Sequence, residues 1–284
     1  MPESSEQSIL LEIRSFSPVV PKSKKRKRRI QIIPKDIYPI TIPEKLPIKI
    51  TPCPIVEAIL EIRFVSNESW TNIPGLLYPH IREKYTRDRK LPLADWPEEM
   101  RRQDPDIVHM PLLQYFNDQY IIQIGPRVIG LMTIPNTYPG WAKIEAEMTW
   151  LIAQIQKANF ITEGERLAVR YIDFFPKLDI FENISLDMQM SGKALTLPEL
   201  NVATVLRKDK MTARLAISNS VIGIAGKEPT TGSLFDLDVW LGPQDFDLFQ
   251  NGMEKFGAIH TLVKQTFFGL LKPDFLATLK PSYT

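Results

Sequence analysis

The stretch Val56-Glu57-Ala58-Ile59-Leu60-Glu61-Ile62-Arg63-Phe64-Val65 decides the fold class. Val56, Ala58, Leu60, Ile62 and Phe64 fall on one side of an extended chain, and Glu57, Glu61 and Arg63 on the other. That two-residue period marks a half-buried strand. Downstream, Trp70, Ile73, Leu77 and Ile81 make one helical stripe, with Asn67 or Ser69 as the N-cap and Pro74 and Pro79 weakening it. Residues 87–106 are polar and read as a long loop. Strands are predicted at about 110–116, 119–124 and 127–134, with Gly125-Pro126 turning between the last two.

Trp141, Ile144, Met148, Leu151, Ile152 and Ile155 form one apolar face of a helix over 141–157. The order of elements then recurs. A strand is predicted at 166–175, hairpin strands near 202–208, 211–217 and 220–225, and another strand at 234–241. A long closing helix from about 245 to 271 carries Phe246, Phe249, Met253, Phe256, Ile259, Val263, Phe267 and Leu270 on one face, and Pro273 stops it. The expected class is α+β, an antiparallel sheet with long amphipathic helices packed on it, arranged as two β-α-β(n)-α pseudo-repeats. The halves are expected at 51–162 and 163–284, within one α+β region over 51–284.

Upstream, residues 1–50 read as an extended arm. Pro2, Pro18, Pro21, Pro34, Pro39, Pro43 and Pro47 remove backbone donors and bias their predecessors away from helix. Within the arm lies the densest charge run of the chain: Lys22, Lys24, Lys25, Arg26, Lys27, Arg28 and Arg29. The net charge of the 284 residues is only +2, so without this run the body is mildly acidic. Clustered cations of this kind bind phosphates through counterion release, dock on an acidic partner or simply stay solvated. No aromatics interleave with them, so stacking on single strands is not supported there. The arm's Ile30, Ile32, Ile33, Ile37 and Ile40 alternate loosely and suit addition to a sheet edge, in this molecule or a neighbour.

The 44% hydrophobic content is enough for a packed core. The single cysteine, Cys53, excludes an internal disulfide and a cysteine-based zinc site. No apolar run approaches a membrane span and no leader is read, so the expectation is a cytoplasmic protein without membrane association.

Motifs for chemistry are sparse. His80, His109 and His260 have no metal-ligand spacing, and no phosphate loop, nucleophile elbow or zinc-protease pair occurs. His260 lies beside the apolar stripe of the last helix, where a packing role competes with a catalytic one. Asp236 and Asp238 share one strand face and are the candidates for a metal or a shared proton, against the alternative that both face water. Asp245 and Asp247 suit helix capping. Glu57, Glu61 and Arg63, with Arg170 and Asp173 on the later strand, suggest either a cross-strand ion-pair network or a ligand groove. No catalytic residue and no cofactor is assigned.

Four segments carry a resemblance. Residues 51–64, Thr-Pro-Cys-Pro-Ile-Val-Glu-Ala-Ile-Leu-Glu-Ile-Arg-Phe, are similar to the opening motif of a sporadically distributed prokaryotic family of uncharacterised proteins. Tyr138-Pro139-Gly140-Trp141, Arg170-Tyr171-Ile172 and Asp236-Leu237-Asp238-Val239-Trp240 follow in the family's order, over about residues 50–275. Cys53 replaces a usual proline, Asp173 stands where asparagine is common, and the basic arm lies outside the family's core. The resemblance carries no catalytic residues. Its genomic company, mobile-element and defence genes, implies a non-enzymatic accessory, immunity or antitoxin-like protein in an anti-phage setting that binds a protein partner. The alternative is nucleic-acid binding through the arm.

Overall fold

The alternation at residues 56–65 becomes β1 (Ile55–Val65), whose Ala58, Leu60, Ile62 and Phe64 are all buried. The computed structural model describes residues 36–105, 107–195, 197–225 and 228–283. The basic run Lys22–Arg29 therefore lies outside the described residues. After β1 come α1 (Ile73–Ile81), β2 (Arg87–Lys90), α2 (Glu98–Gln103), β3 (Leu113–Phe116), β4 (Tyr120–Gly125), β5 (Val128–Thr133) and α3 (Trp141–Ala158). The chain continues through β6 (Glu163–Pro176), β7 (Gln189–Met190), β8 (Lys193–Ala194), β9 (Asn201–Lys208), β10 (Met211–Ala225), β11 (Glu228–Leu241), α4 (Gly252–Leu270) and α5 (Pro273–Thr278).

Nine strands form one antiparallel sheet in the order β2-β3-β4-β5-β1-β6-β11-β10-β9, with β7 and β8 as a separate small hairpin. Among the described residues the sheet dominates, at 37% strand against 27% helix. This overturns the expectation of long helices packed on a sheet. The closing helix begins at Gly252, not near Asp245, and spans 19 residues. The second β-α-β(n)-α unit does not form either. Where the first half has α1, β6 leads into a three-residue 3-10 turn at Ile180–Glu182. What the halves do share is position: β1 and β6 pair at the centre, each flanked outward by its own meander.

Three other expectations are corrected. Residues 87–106 are not one loop: β2 pairs with β3 there, followed by a 3-10 turn at Pro92–Asp95 and by α2. The strands expected near 211–217 and 220–225 are one 15-residue strand, bent by a register shift between Ser218 and Val221. α1 starts at Ile73 behind Asn72, without a side-chain cap, and Pro74 sits in its first turn, where its missing N–H costs nothing.

The core lies between the sheet and α1, α3 and α4. Ile144, Met148, Leu151 and Ile155 of α3 and Phe256, Ile259, Val263 and Phe267 of α4 meet the inward strand residues Leu60, Ile62, Leu167, Val169, Leu237 and Val239. Residues 36–50 form no helix and no strand beyond isolated bridges, and they are docked on the body. Ile37 bridges Arg207 of β9, the Tyr38 hydroxyl meets Thr266 Oγ1 at 3.0 Å, and Ile48 donates to the Ser282 carbonyl. Among the described residues no helix is long and apolar enough to cross a membrane.

Close packing sets one glycine. A Cβ on Gly232 would lie 2.3 Å from the Phe175 carbonyl oxygen across the β11–β6 pair. Gly232→Ala should therefore cost about 1–3 kcal/mol, as overpacking against backbone does. Urea unfolding checks this, as a lower midpoint at unchanged slope.

Candidate functional site

Adjacency of β1, β6 and β11, with the two-residue period, gathers charge on the sheet face opposite the helices. Arg166 is the hub. One of its terminal nitrogens donates to Glu61 Oε1 and the other grips both oxygens of Asp238 at 2.7 and 2.6 Å. Its guanidinium also lies 4.7 Å over the Trp240 ring. Arg63 Nε donates to the same Glu61 oxygen at 2.8 Å. Arg170 holds both oxygens of Asp236 at 2.7 Å.

Both clamps are diagonal. Arg170 lies directly opposite Asp238 yet reaches Asp236, which faces Ile172. Long forked side chains make such diagonals reachable across neighbouring strands. The carboxylates and Arg170 stabilise one another's charge, and the Asp236 contact raises the Arg170 pKa against the opposing effect of burial. Glu57 sits beside this pair. Burial pushes its pKa up, Arg170 pulls it down and Asp236 pushes it up again.

The other face of the same strands carries a buried row of neutral polar groups. The Tyr171 hydroxyl meets His260 Nδ1 at 3.0 Å and the Tyr138 hydroxyl at 3.3 Å. His260 stacks on Trp141 with ring centres 3.9 Å apart and planes 3° from parallel. Burial, helped by Lys264, pushes the His260 pKa down to about 3, and burial pushes Tyr138 up to about 12. Asp173, only 3% exposed, is driven well above the usual carboxylate range by burial and by the Asp236 charge. The cluster therefore holds its side chains uncharged near neutral pH.

Segments 51–64, 138–141, 170–172 and 236–240 meet at the central strands, on their two faces. Glu61 of the opening motif, Arg170 and Tyr171 of the second strand, and Asp236 and Asp238 of the late strand lie on three neighbouring strands. Tyr138 and Trp141 close over Tyr171 and His260. Of the expected residues, Glu61 and Arg63 join an ion-pair network with Arg166 and Asp238, Arg170 pairs with Asp236, and Glu57 interacts with Arg170 only at longer range. A cation at those aspartates would have to displace two guanidinium groups. Among the described residues no group of three or more His, Cys, Asp or Glu is arranged to hold a metal ion.

Asp247 accepts from the backbone N–H of Phe249 and Gln250 in a turn before α4, and Asp245 pairs with Lys210. Neither aspartate caps the helix itself. Sequence reading missed Arg166, although its spacing from Arg170 on one strand puts both on the same face. It also missed the Tyr138–Tyr171–His260 row, which unites three distant segments with no local pattern.

Two measurements probe the site. Arg166→Met leaves Glu61 and Asp238 without their shared cation in a setting where the arginine is 12% exposed. The expected loss is about 3 kcal/mol in chemical denaturation. For His260, the folded pKa lies below the unfolded one, so the unfolded chain binds the proton more readily. Its contribution is complete above the ordinary histidine range and is lost as pH falls from about 6.5 toward about 3. The His260→Gln variant should show a flatter decline in stability than the wild type across that window.

No protein-family profile and no curated protein sequence matches the chain.

Proposed function

We propose that the chain is a non-enzymatic binding protein that takes a protein partner as an added strand at the outer edge of β9. One observation carries this. Arg207 and Ile37 exchange both backbone hydrogen bonds at 2.9 Å, which makes Arg207 an outward-facing position of β9. By alternation the N–H and C=O of Val205 and Ala203 also point outward. Among the described residues nothing pairs with them. Edge strands are ordinarily guarded by lysine, proline or a bulge. Here Val202, Ala203, Thr204 and Val205 supply no charge and no proline, and Val205 is 44% exposed.

Residues 38–41 of the arm do not cover the opening. Past Ile37 the arm leaves the edge, with Tyr38 on Thr266 and with Ile40 and Thr41 against Gly269 of α4. Strand addition draws affinity from backbone hydrogen bonds and specificity from alternate side chains. The internally paired ladder fits a scaffold for such binding. The accessory, immunity or antitoxin-like role in mobile-element or phage defence that the resemblance implies is compatible with it.

A second reading, nucleic-acid binding through Lys22–Arg29, draws on where the arm is anchored. Ile37, eight residues beyond Arg29, docks beside Arg207, and Arg207 and Arg214 on the open sheet face have no ion-pair partner among the described residues.

Affinity capture from the native host, with nuclease and read by mass spectrometry, separates the two. The first reading expects one stoichiometric protein with the wild type and its loss with Ala203→Pro, at a retained thermal midpoint. Capture unchanged by Ala203→Pro contradicts it. Recovery of nucleic acid alone, steeply salt-sensitive and lost on deleting residues 22–29, favours the second reading.

A further inference from the structure

A cavity of about 350 Å³ opens where β1 ends, between the loop into α1, the helix α2 and the β4–β5 turn. Its charged lining comprises three arginines, Arg101, Arg102 and Arg127, against two glutamates, Glu68 and Glu98. Two of the arginines are already compensated. Arg102 pairs with Glu98 at 2.5 Å, and Arg127 pairs with Glu165.

Arg101 is different. It is 8% exposed, its Nε donates to the Trp96 carbonyl at 3.2 Å, and its Nη1 is buried with no acceptor among the described residues. A guanidinium has five N–H donors and keeps its charge, so burying it without a counter-ion is strongly unfavourable unless an anion joins it. Among the described residues two other buried side-chain atoms lack a partner, His109 Nδ1 and Glu165 Oε2. Glu165 holds the guanidinium of Arg127, which lines the cavity. Of these three residues Arg101 alone lines the cavity, and Glu165 adjoins it through Arg127.

The remaining wall sets the ligand class. Trp70, Met110 and Leu112 present apolar surface, and Ser66 and Ser69 add hydroxyls. The volume is at the small end of ligand pockets. Among the described residues Arg101 is the one lining cation without a carboxylate partner, which matches a ligand with a single anionic group, and a guanidinium fork fits a carboxylate in two parallel hydrogen bonds. We infer that this cavity binds a small carboxylic acid with an apolar body, with Arg101 as its charge partner.

Titration calorimetry and thermal shift on the full chain test this, using acetate, hexanoate and benzoate as probes, with benzamide and inorganic phosphate at matched ionic strength. Hexanoate or benzoate should bind saturably and raise the melting temperature, and benzamide should not. Arg101→Met should weaken that binding at least about tenfold, the size expected for losing a charge-assisted hydrogen bond. Arg102→Gln should change it far less. If Arg101→Met does not fold, Arg101→Lys replaces it and should also bind more weakly, because a point charge does not reproduce the fork. The inference is overturned if none of the three acids binds at millimolar concentration, if benzamide or phosphate matches benzoate, or if the Arg101 variants bind like the wild type.

Discussion

Arg166 ties together three strands that come from distant parts of the chain. Its guanidinium reaches Glu61 of β1 on one side and Asp238 of β11 on the other, and it stacks over Trp240. β1 and β6 pair along nearly their full length, and β11 pairs with the opposite edge of β6. The register of that central trio fixes everything outward of it. A one-residue slip would move Leu60, Ile62, Leu167 and Val169 out of the core and bring the charges in. The apolar side of the strands supplies most of the stabilisation, and the charged side makes one register far better than its neighbours.

The same three strands explain the buried neutral row on the helix side. Tyr171 is sandwiched between Tyr138, from the loop before α3, and His260 of α4. These contacts link both long helices to β6 through hydrogen bonds as well as apolar packing. With the His260 pKa depressed and those of Tyr138, Tyr171 and Asp173 raised, the row tolerates burial because it carries no charge at neutral pH. The centre of the molecule is hydrogen-bonded and paired, and the features left open among the described residues lie at its margins, along β9 and in the cavity beside Arg101.

Much of this was legible in the amino-acid order. The alternation of Ala58, Leu60, Ile62 and Phe64, and the stripe Ile144, Met148, Leu151 and Ile155, each record one face of one element, so local period reveals them. The charges Glu57, Glu61, Arg63, Arg170, Asp236 and Asp238 were visible for the same reason. What escaped is what depends on juxtaposition. Residues 87–106 look like a loop because β2 is four exposed residues with no apolar partner of its own, and only pairing with β3 makes it a strand. The weight of helix was overread because Phe246 and Phe249 continue the apolar period of α4 through a turn that Asp247 organises ahead of it. Arg101 gives no sequence signal at all, since its burial comes from the fold around α2 and not from its neighbours in the chain.

Native-state hydrogen exchange measures the closed centre and the open β9 edge at once. The amides of β1 and β6 should exchange only through global unfolding, and those of Ala203 and Val205 at close to unprotected rates. Protection of Ala203 and Val205 equal to that of Val169 and Tyr171, or low-energy local opening in β6, would contradict a closed centre with an open edge.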